Sequence, residues 1–381
     1  DCSSLTSITI PDSVTSIGGS AFRGCSSLKL ITIPDSVTSI GAAAFYGCSS
    51  LTSVAIPDSV TSIGASAFCD CTSLASITIP DGITSIGNGA FYDCISLTGV
   101  TIPDSVNSIG DYAFQKCTSL KSITIPDGVT SIGAHAFDGC IALTSAVVGN
   151  GVTSIGKYAF QGCTALANVT IGSKVSSIGD YAFSDCSALK SIVIPDSVTS
   201  IGDYAFYNCK ALKSVTLGTG VTSIGYRAFF GCTSLASIII PANVTVIDNY
   251  AIAYNVTTNY VLYLTDGFII YGYEDTAAQT YANDNGITFI SLGEYVEPVD
   301  PDVDEPTTDE PTTDPDVDEP VTDPSVDDPT TDDPSEEDPA ESCSHFCHSE
   351  SSFIQFFYKI IRFFWKIFGI NQYCECGAAH Y

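Results

Sequence analysis

The chain has 381 residues, 43 of them acidic and 13 basic, for a formal net charge of −30. Residues 294–341 hold 21 acidic and no basic side chains, residues 1–293 hold 20 and 10, and residues 342–381 hold 2 and 3. This balance excludes nucleic acid as a partner, because phosphate binding needs clustered Lys and Arg, and no run of about 18 uncharged apolar residues predicts a transmembrane helix.

Residues 1–253 are periodic. Cysteine keeps a period of 23 from Cys2 to Cys232, as do phenylalanine from Phe22 to Phe229 and leucine from Leu5 to Leu235. One unit, opening at Cys117, reads CTSLKSITIPDGVTSIGAHAFDG. From Leu120 to Pro126 apolar and polar side chains alternate, with many β-branched residues. This predicts a short half-buried strand, Ile123 and Ile125 inward and Thr124 outward. Pro126 ends it, having no N–H for a ladder. Asp127-Gly128 predicts a turn, Val129 and Ile132 a second short apolar pair, and Gly133 another change of direction. Ala136 and Phe137 are expected to pack inward on a short helical or irregular turn. A single unit cannot bury its apolar face, whereas stacked units can. The expected fold is therefore a repeat solenoid of about 11 units with short parallel β-strands and identical side chains in ladders.

The pattern L-x-x-I-x-I-P-x-x-V-x-x-I-G-x-x-A-F-x-x-C resembles the BspA-like leucine-rich repeats of bacterial and protist surface proteins. The resemblance implies a curved leucine-rich-repeat solenoid and a surface or secreted protein used in adhesion, with no particular ligand. The sequence contains no Met and opens inside a repeat at Asp1-Cys2, so it is read as N-terminally truncated, and no signal peptide is visible.

Four columns stand out within the repeats. The cysteines are expected to be free core thiols, since buried Cys behaves as a small hydrophobe. Cys69 falls outside that ladder and is expected to be more exposed. The aspartates at 12, 35, 58, 81, 104, 127 and 196 form a column that suits calcium or, more simply, turn capping. The column is interrupted at Gly172-Ser173 and Gly218-Thr219. Tyr112, Tyr158, Tyr181, Tyr204 and Tyr250 share one position, held earlier in the chain by Ser20, Ala43, Ser66 and Gly89. An exposed tyrosine stripe offers rigid apolar bodies with polar tips, so it is the candidate ligand-binding surface. Packing between adjacent rings is its structural alternative. Thr9, Thr32, Thr78, Thr101 and Thr124 predict a flat hydroxyl-rich face.

The period then lapses, with Ile252 in the phenylalanine position and Asn255 in the cysteine position. Residues 254–293 predict a C-terminal cap: a hairpin-like stretch, a helix near Thr276–Asn285, Gly286 as its stop, and a final strand. Residues 294–342, with ten prolines among the acids, predict a disordered acidic stalk. Residues 343–381 predict a small helical tail. In Phe353–Phe368 the polar residues Gln355, Lys359, Arg362 and Lys366 fall on one helical stripe. At ~24 Å that helix is short for a ~30 Å span. It suits a membrane interface or a partner, through Phe356, Phe357, Ile360, Phe364, Trp365 and Phe368, or the core of a small module. Cys343, Cys347 and His348 precede it, and Cys374, Cys376 and His380 follow. These six soft ligands suit zinc, and the thiols alone suit disulfides. The tail resembles cysteine-rich C-terminal tails of secreted gut Firmicutes proteins.

The function expected is an adhesin-like binding protein, extracellular or at the cell surface, recognising a protein or glycan on host or neighbouring cells. The alternative is a self-assembling surface module without a foreign ligand. No nucleophile elbow, phosphate loop or metalloprotease motif is present, and of four histidines only His135 lies in the repeats. An enzyme is not expected, and no cofactor is required, zinc in the tail being the one possibility.

Overall fold

A computed structural model describes residues 2–295. The stalk and tail expectations, including the Cys/His set and the apolar helix, lie outside the described residues.

Each turn of the coil contributes two short strands. The first is represented by Ser122–Ile125, and the second by Ser131–Ile132. Both pair in parallel with the same strands of neighbouring turns, in a register of one repeat: Ile123 faces Ala146, and Ile132 faces Ile155. The first strands form successive sheets of five, three and two, and the last of them joins a C-terminal sheet of three. The second strands form sheets of three and eight. A third backbone ladder runs along the remaining side, where Phe114 N–H donates to Ala136 O at 2.8 Å and Phe137 N–H to Ala159 O at 2.7 Å. This side is built of turns, the irregular option of the two expected for Ala136-Phe137.

Because each turn sits one backbone hydrogen bond above the last, side chains of equal offset lie in contact. The ten phenylalanines from Phe22 to Phe229 stack face to face, with ring centroids 5.1–5.6 Å apart and planes within 12°. From Phe45 onward they are buried. Each ladder thiol from Cys48 to Cys232 donates to the phenylalanine carbonyl of the turn before, as Cys140 Sγ does to Phe114 O at 3.2 Å. That carbonyl also accepts Cys117 N–H, so both its lone pairs are used. Burial pushes these thiols up, Cys48 and Cys232 to about 12.

One expectation is corrected here. Cys69 is buried at 6 % exposure, because the residue after each phenylalanine belongs to its own column, here between Tyr46 and Tyr92; burial holds its thiol at about 12. The chain changes direction at Gly133 as expected, between Ser131–Ile132 and the turn that follows, without a left-handed backbone. A Cβ there would lie 2.5 Å from Asp111 N and from Gly110 C, so its role is the close approach of successive turns. Two members of the aspartate column cap the backbone of the next turn of the coil: Asp127 Oδ1 accepts Asn150 N–H at 2.6 Å, and Asp196 Oδ1 accepts Thr219 N–H at 2.7 Å. No group of three or more His, Cys, Asp or Glu among the described residues is placed to hold a metal ion.

At the C-terminal end, Tyr254–Val256 pairs antiparallel with Leu262–Leu264. The strand Ile269–Gly272 then joins Ser237–Ile239 in parallel, and Thr288–Ser291 joins Ile269–Gly272. Between them lies the helix Ala277–Asp284, after which Gly286 adopts φ 66°. Tyr281, buried on the helix, closes the last repeat. Its hydroxyl accepts Ile252 N–H and donates to Ile252 O, both at 3.1 Å.

Tyr281→Phe leaves two buried backbone groups unpaired and is expected to cost about 1–3 kcal/mol in chemical denaturation. The thiols give a second prediction. Their folded pKa values are raised, so their contribution is complete below about pH 9 and is lost as pH rises toward 12, while the unfolded chain ionises first. Unfolding free energy is expected to fall above pH 9 by up to about 1.4 kcal/mol per pH unit for each such thiol. The decline should be shallower in Cys117→Ala/Cys140→Ala/Cys163→Ala, which separates thiol from tyrosine ionisation.

Candidate ligand-binding face

The tyrosine column lies just beyond the second strand of each turn. In every turn from Ser20 to Tyr250 this position is left-handed, with φ between 53° and 60°. The cause is the third ladder: Tyr181 N–H is committed to Asp203 O at 2.8 Å and Tyr158 N–H to Asp180 O at 2.9 Å. The preceding position often carries an acid that caps the next turn, as Asp180 Oδ1 accepts Asp203 N–H at 3.1 Å and Asp203 Oδ1 accepts Tyr226 N–H at 2.8 Å. The backbone thus aims every side chain of the column outward along one line.

Four of the five tyrosines form a single stack, and a residue not assigned to it completes it. Tyr112, His135, Tyr158, Tyr181 and Tyr204 lie face to face, with centroids 4.5–4.9 Å apart and planes within 21°. His135, which looked isolated in the sequence, is the missing rung, and its Nδ1 lies 2.9 Å from Asp138 Oδ2. Tyr250 does not join the stack. Arg227 takes the rung between Tyr204 and Tyr250, its guanidinium 4.9–6.0 Å from the rings of Phe230, Tyr226, Tyr250 and Tyr204. Tyr250 instead meets Tyr254 edge-on at 4.9 Å. Both His135 and Arg227 could have been found by counting one repeat on from Tyr112 and Tyr204.

Tyr112 is the most open member at 43 % exposure, while the others are half-buried by their neighbours. Burial, then the Tyr204 and Tyr158 hydroxyls, hold the Tyr181 phenol above its usual value. Lys157 lies 5.2 Å over the Tyr158 ring and 3.3 Å from Asp180 Oδ2. The face combines continuous aromatic surface with hydroxyls, a few cations and flanking carboxylates. It has the composition of a contact surface and holds no assembled nucleophile–base pair.

The repeats match BspA-type leucine-rich-repeat regions in six copies, over residues 1–118, 84–187 and 130–259. The chain belongs to this family. Among solved structures, it is similar to a leucine-rich-repeat protein of Bacteroides ovatus, 31% identical, covering 64% of this chain and 74% of that one at a TM-score of 0.42. It is also similar to a leucine-rich cell-surface protein of Faecalibacterium prausnitzii, 29% identical over 77% and 89% at 0.42. The pneumococcal vaccine antigen PcpA is 20% identical over 76% and 80% at 0.46. No curated protein matches.

In this BspA-type chain the stack is expected to add less stability than the phenylalanine core, because most of its rings are half-buried and all are held at a left-handed position. A left-handed non-glycine residue costs about 1–2 kcal/mol, and two ring contacts return about 1–3 kcal/mol. Tyr181→Gly is therefore expected to lower the unfolding free energy by no more than about 2 kcal/mol, whereas Phe183→Ala, two positions on, should cost about 3–5 kcal/mol. Denaturant titration of both variants checks the contrast.

Proposed function

We propose that this chain is a cell-surface or secreted binding protein that recognises a protein or glycan ligand through the aromatic stripe of its solenoid. The observation that carries this reading is the stack from Tyr112 to Tyr204: large rings held at a left-handed position where smaller residues serve in four other turns. Rings expected to add less stability than the phenylalanine core, yet forming a continuous outward strip, are explained by what they touch. Membership of the BspA-type family agrees, since its resemblance implies surface proteins used in adhesion. The acidic segment and the apolar tail would then project and retain the solenoid, with the tail at a membrane interface or on a partner chain. A binding role is also the reading that needs no catalytic group.

The test immobilises the full chain on beads and measures retention of purified mucin, mammalian matrix proteins and bacterial envelope material. Saturable retention that falls about tenfold or more in Tyr158→Ser/Tyr181→Ser/Tyr204→Ser, with the melting transition kept, supports the proposal. Retention unchanged by the triple substitution removes the stripe from it. Capture of free copies of the same chain, with no other ligand retained, replaces it with self-assembly.

A further inference from the structure

The aromatic stack ends abruptly. One turn before Tyr112 the column position is Gly89, preceded by Ser66, Ala43 and Ser20. The free face of Tyr112 therefore looks into an open hollow of about 350 Å³, bounded by Ser66, Cys69, Asn88, Gly89 and Tyr92. The hollow is open on most sides, so a ligand there would lie against Tyr112 without being enclosed.

The hollow is one rung of the stack without its ring. Adjacent rungs lie 4.5–4.9 Å apart, and Gly89 has φ 59° against 58° for Tyr112, so the backbone there already has the geometry that presents a ring elsewhere. A Cβ on Gly89 would meet Tyr92 Cβ at an ordinary 3.8 Å and Ser66 Oγ at a tight 3.3 Å, which a small rotation of the serine hydroxyl relieves, and it would carry the left-handed strain that the other rungs already bear. Glycine at this place leaves room that the fold does not require.

The lining is mainly apolar, with a few polar groups at its rim. Asn88 Oδ1 accepts Asp111 N–H at 3.0 Å, which orients the amide and leaves Nδ2 with no acceptor among the described residues. Ser66 Oγ lies beside the open rung. The Tyr92 hydroxyl accepts from Lys116 Nζ at 3.2 Å and retains its own hydrogen as a donor. The floor is an aromatic face and the edge carries donors and acceptors. A pyranose has the matching form, with an apolar face of C–H groups and a ring of equatorial hydroxyls. A phenyl side chain would fill the same thickness but leave the amide, hydroxyl and phenol facing an apolar edge.

We infer that this hollow is a subsite for one neutral pyranose ring of a glycan, stacked on Tyr112 and hydrogen-bonded by Asn88, Ser66 and Tyr92. This rests on the surface-binding reading and narrows its ligand at this place to carbohydrate. Tyr112 supplies the stacking surface, and Gly89 admits the sugar by having no side chain.

The experiment is saturation-transfer-difference NMR on the full chain, with the methyl glycosides of glucose, galactose, mannose and N-acetylglucosamine and with N-acetylphenylalaninamide as probes. Gly89→Tyr closes the hollow with a residue the same position carries in other turns, so it is expected to fold. Tyr112→Ala removes the floor, and Tyr260→Ser, on the 89 % exposed tip of the C-terminal hairpin, is the control. At least one glycoside should bind the parent chain, bind about tenfold or more weakly to both column variants, and be unaffected by Tyr260→Ser. Glycoside binding unchanged by Gly89→Tyr, binding of the phenylalanine derivative alone, or no glycoside binding overturns the inference. If the beads still retain mucin or matrix protein in those cases, only the sugar subsite fails; if they retain nothing, the surface-binding reading fails with it.

Discussion

The backbone hydrogen bonding between successive turns is the constraint on which everything else depends. Three ladders tie each residue to its counterpart in the adjacent turn, or to that counterpart's neighbour, on every side of the coil: Ile123 beside Ala146, Thr130 N–H on Asn107 O, Phe114 N–H on Ala136 O. A turn paired on all sides can be neither lengthened nor shifted without breaking a ladder. Every side chain therefore meets its counterpart at close to the spacing of two strands, and a column tolerates only residues that pack against themselves at that spacing. Phenylalanine does so as a parallel stack, and isoleucine as an in-register pair such as Ile132 beside Ile155. Glycine is required where turns approach most closely, as at Gly133.

The same spacing explains the thiol column. A buried carbonyl with one partner still has a free lone pair, and each phenylalanine carbonyl is served twice, by the cysteine N–H of its own turn and by the thiol of the next. Cysteine supplies a small apolar body and a weak donor at once. Asn255, at the end of the column, breaks this pattern; its amide turns to Thr265 Oγ1 at 2.6 Å, where the chain leaves the coil for the hairpin. The helix Ala277–Asp284 then meets the last turn, and Tyr281 satisfies Ile252 as a following turn would have done.

On the outward side, the constraint creates a binding opportunity. A left-handed position that recurs in every turn makes a rung of any aromatic residue placed there. Aromatic rungs from Tyr112 to Tyr204 make a strip, Arg227 ends it at one side by drawing four rings around its guanidinium, and Gly89 ends it at the other by leaving an open face. The two ends therefore differ, one filled by a guanidinium among rings, the other left open beside Tyr112.

Periodicity determined the solenoid, the first strand and the second apolar pair of each turn, and the inward leucine, isoleucine, phenylalanine and cysteine columns, while helix-stop and strand signals marked the hairpin, helix and strand that follow where the period lapses. Apolar positions repeating at one fixed period have one way to be buried together, and turn chemistry marks where the chain must bend. The tyrosine column was also legible, because equal offsets must align. What the sequence did not disclose was the content of that alignment. His135 and Arg227 occupy the column without looking like tyrosine, and only the ring-to-ring distances show that one continues the stack and the other interrupts it. Cys69 was misjudged because its burial comes from Tyr46 and Tyr92, one turn away on either side. Gly133 lies at the expected change of direction, but the close approach of the neighbouring backbone is what calls for glycine there. In each case the deciding contact lies between turns, and a residue's own segment carries no record of what the next turn places against it.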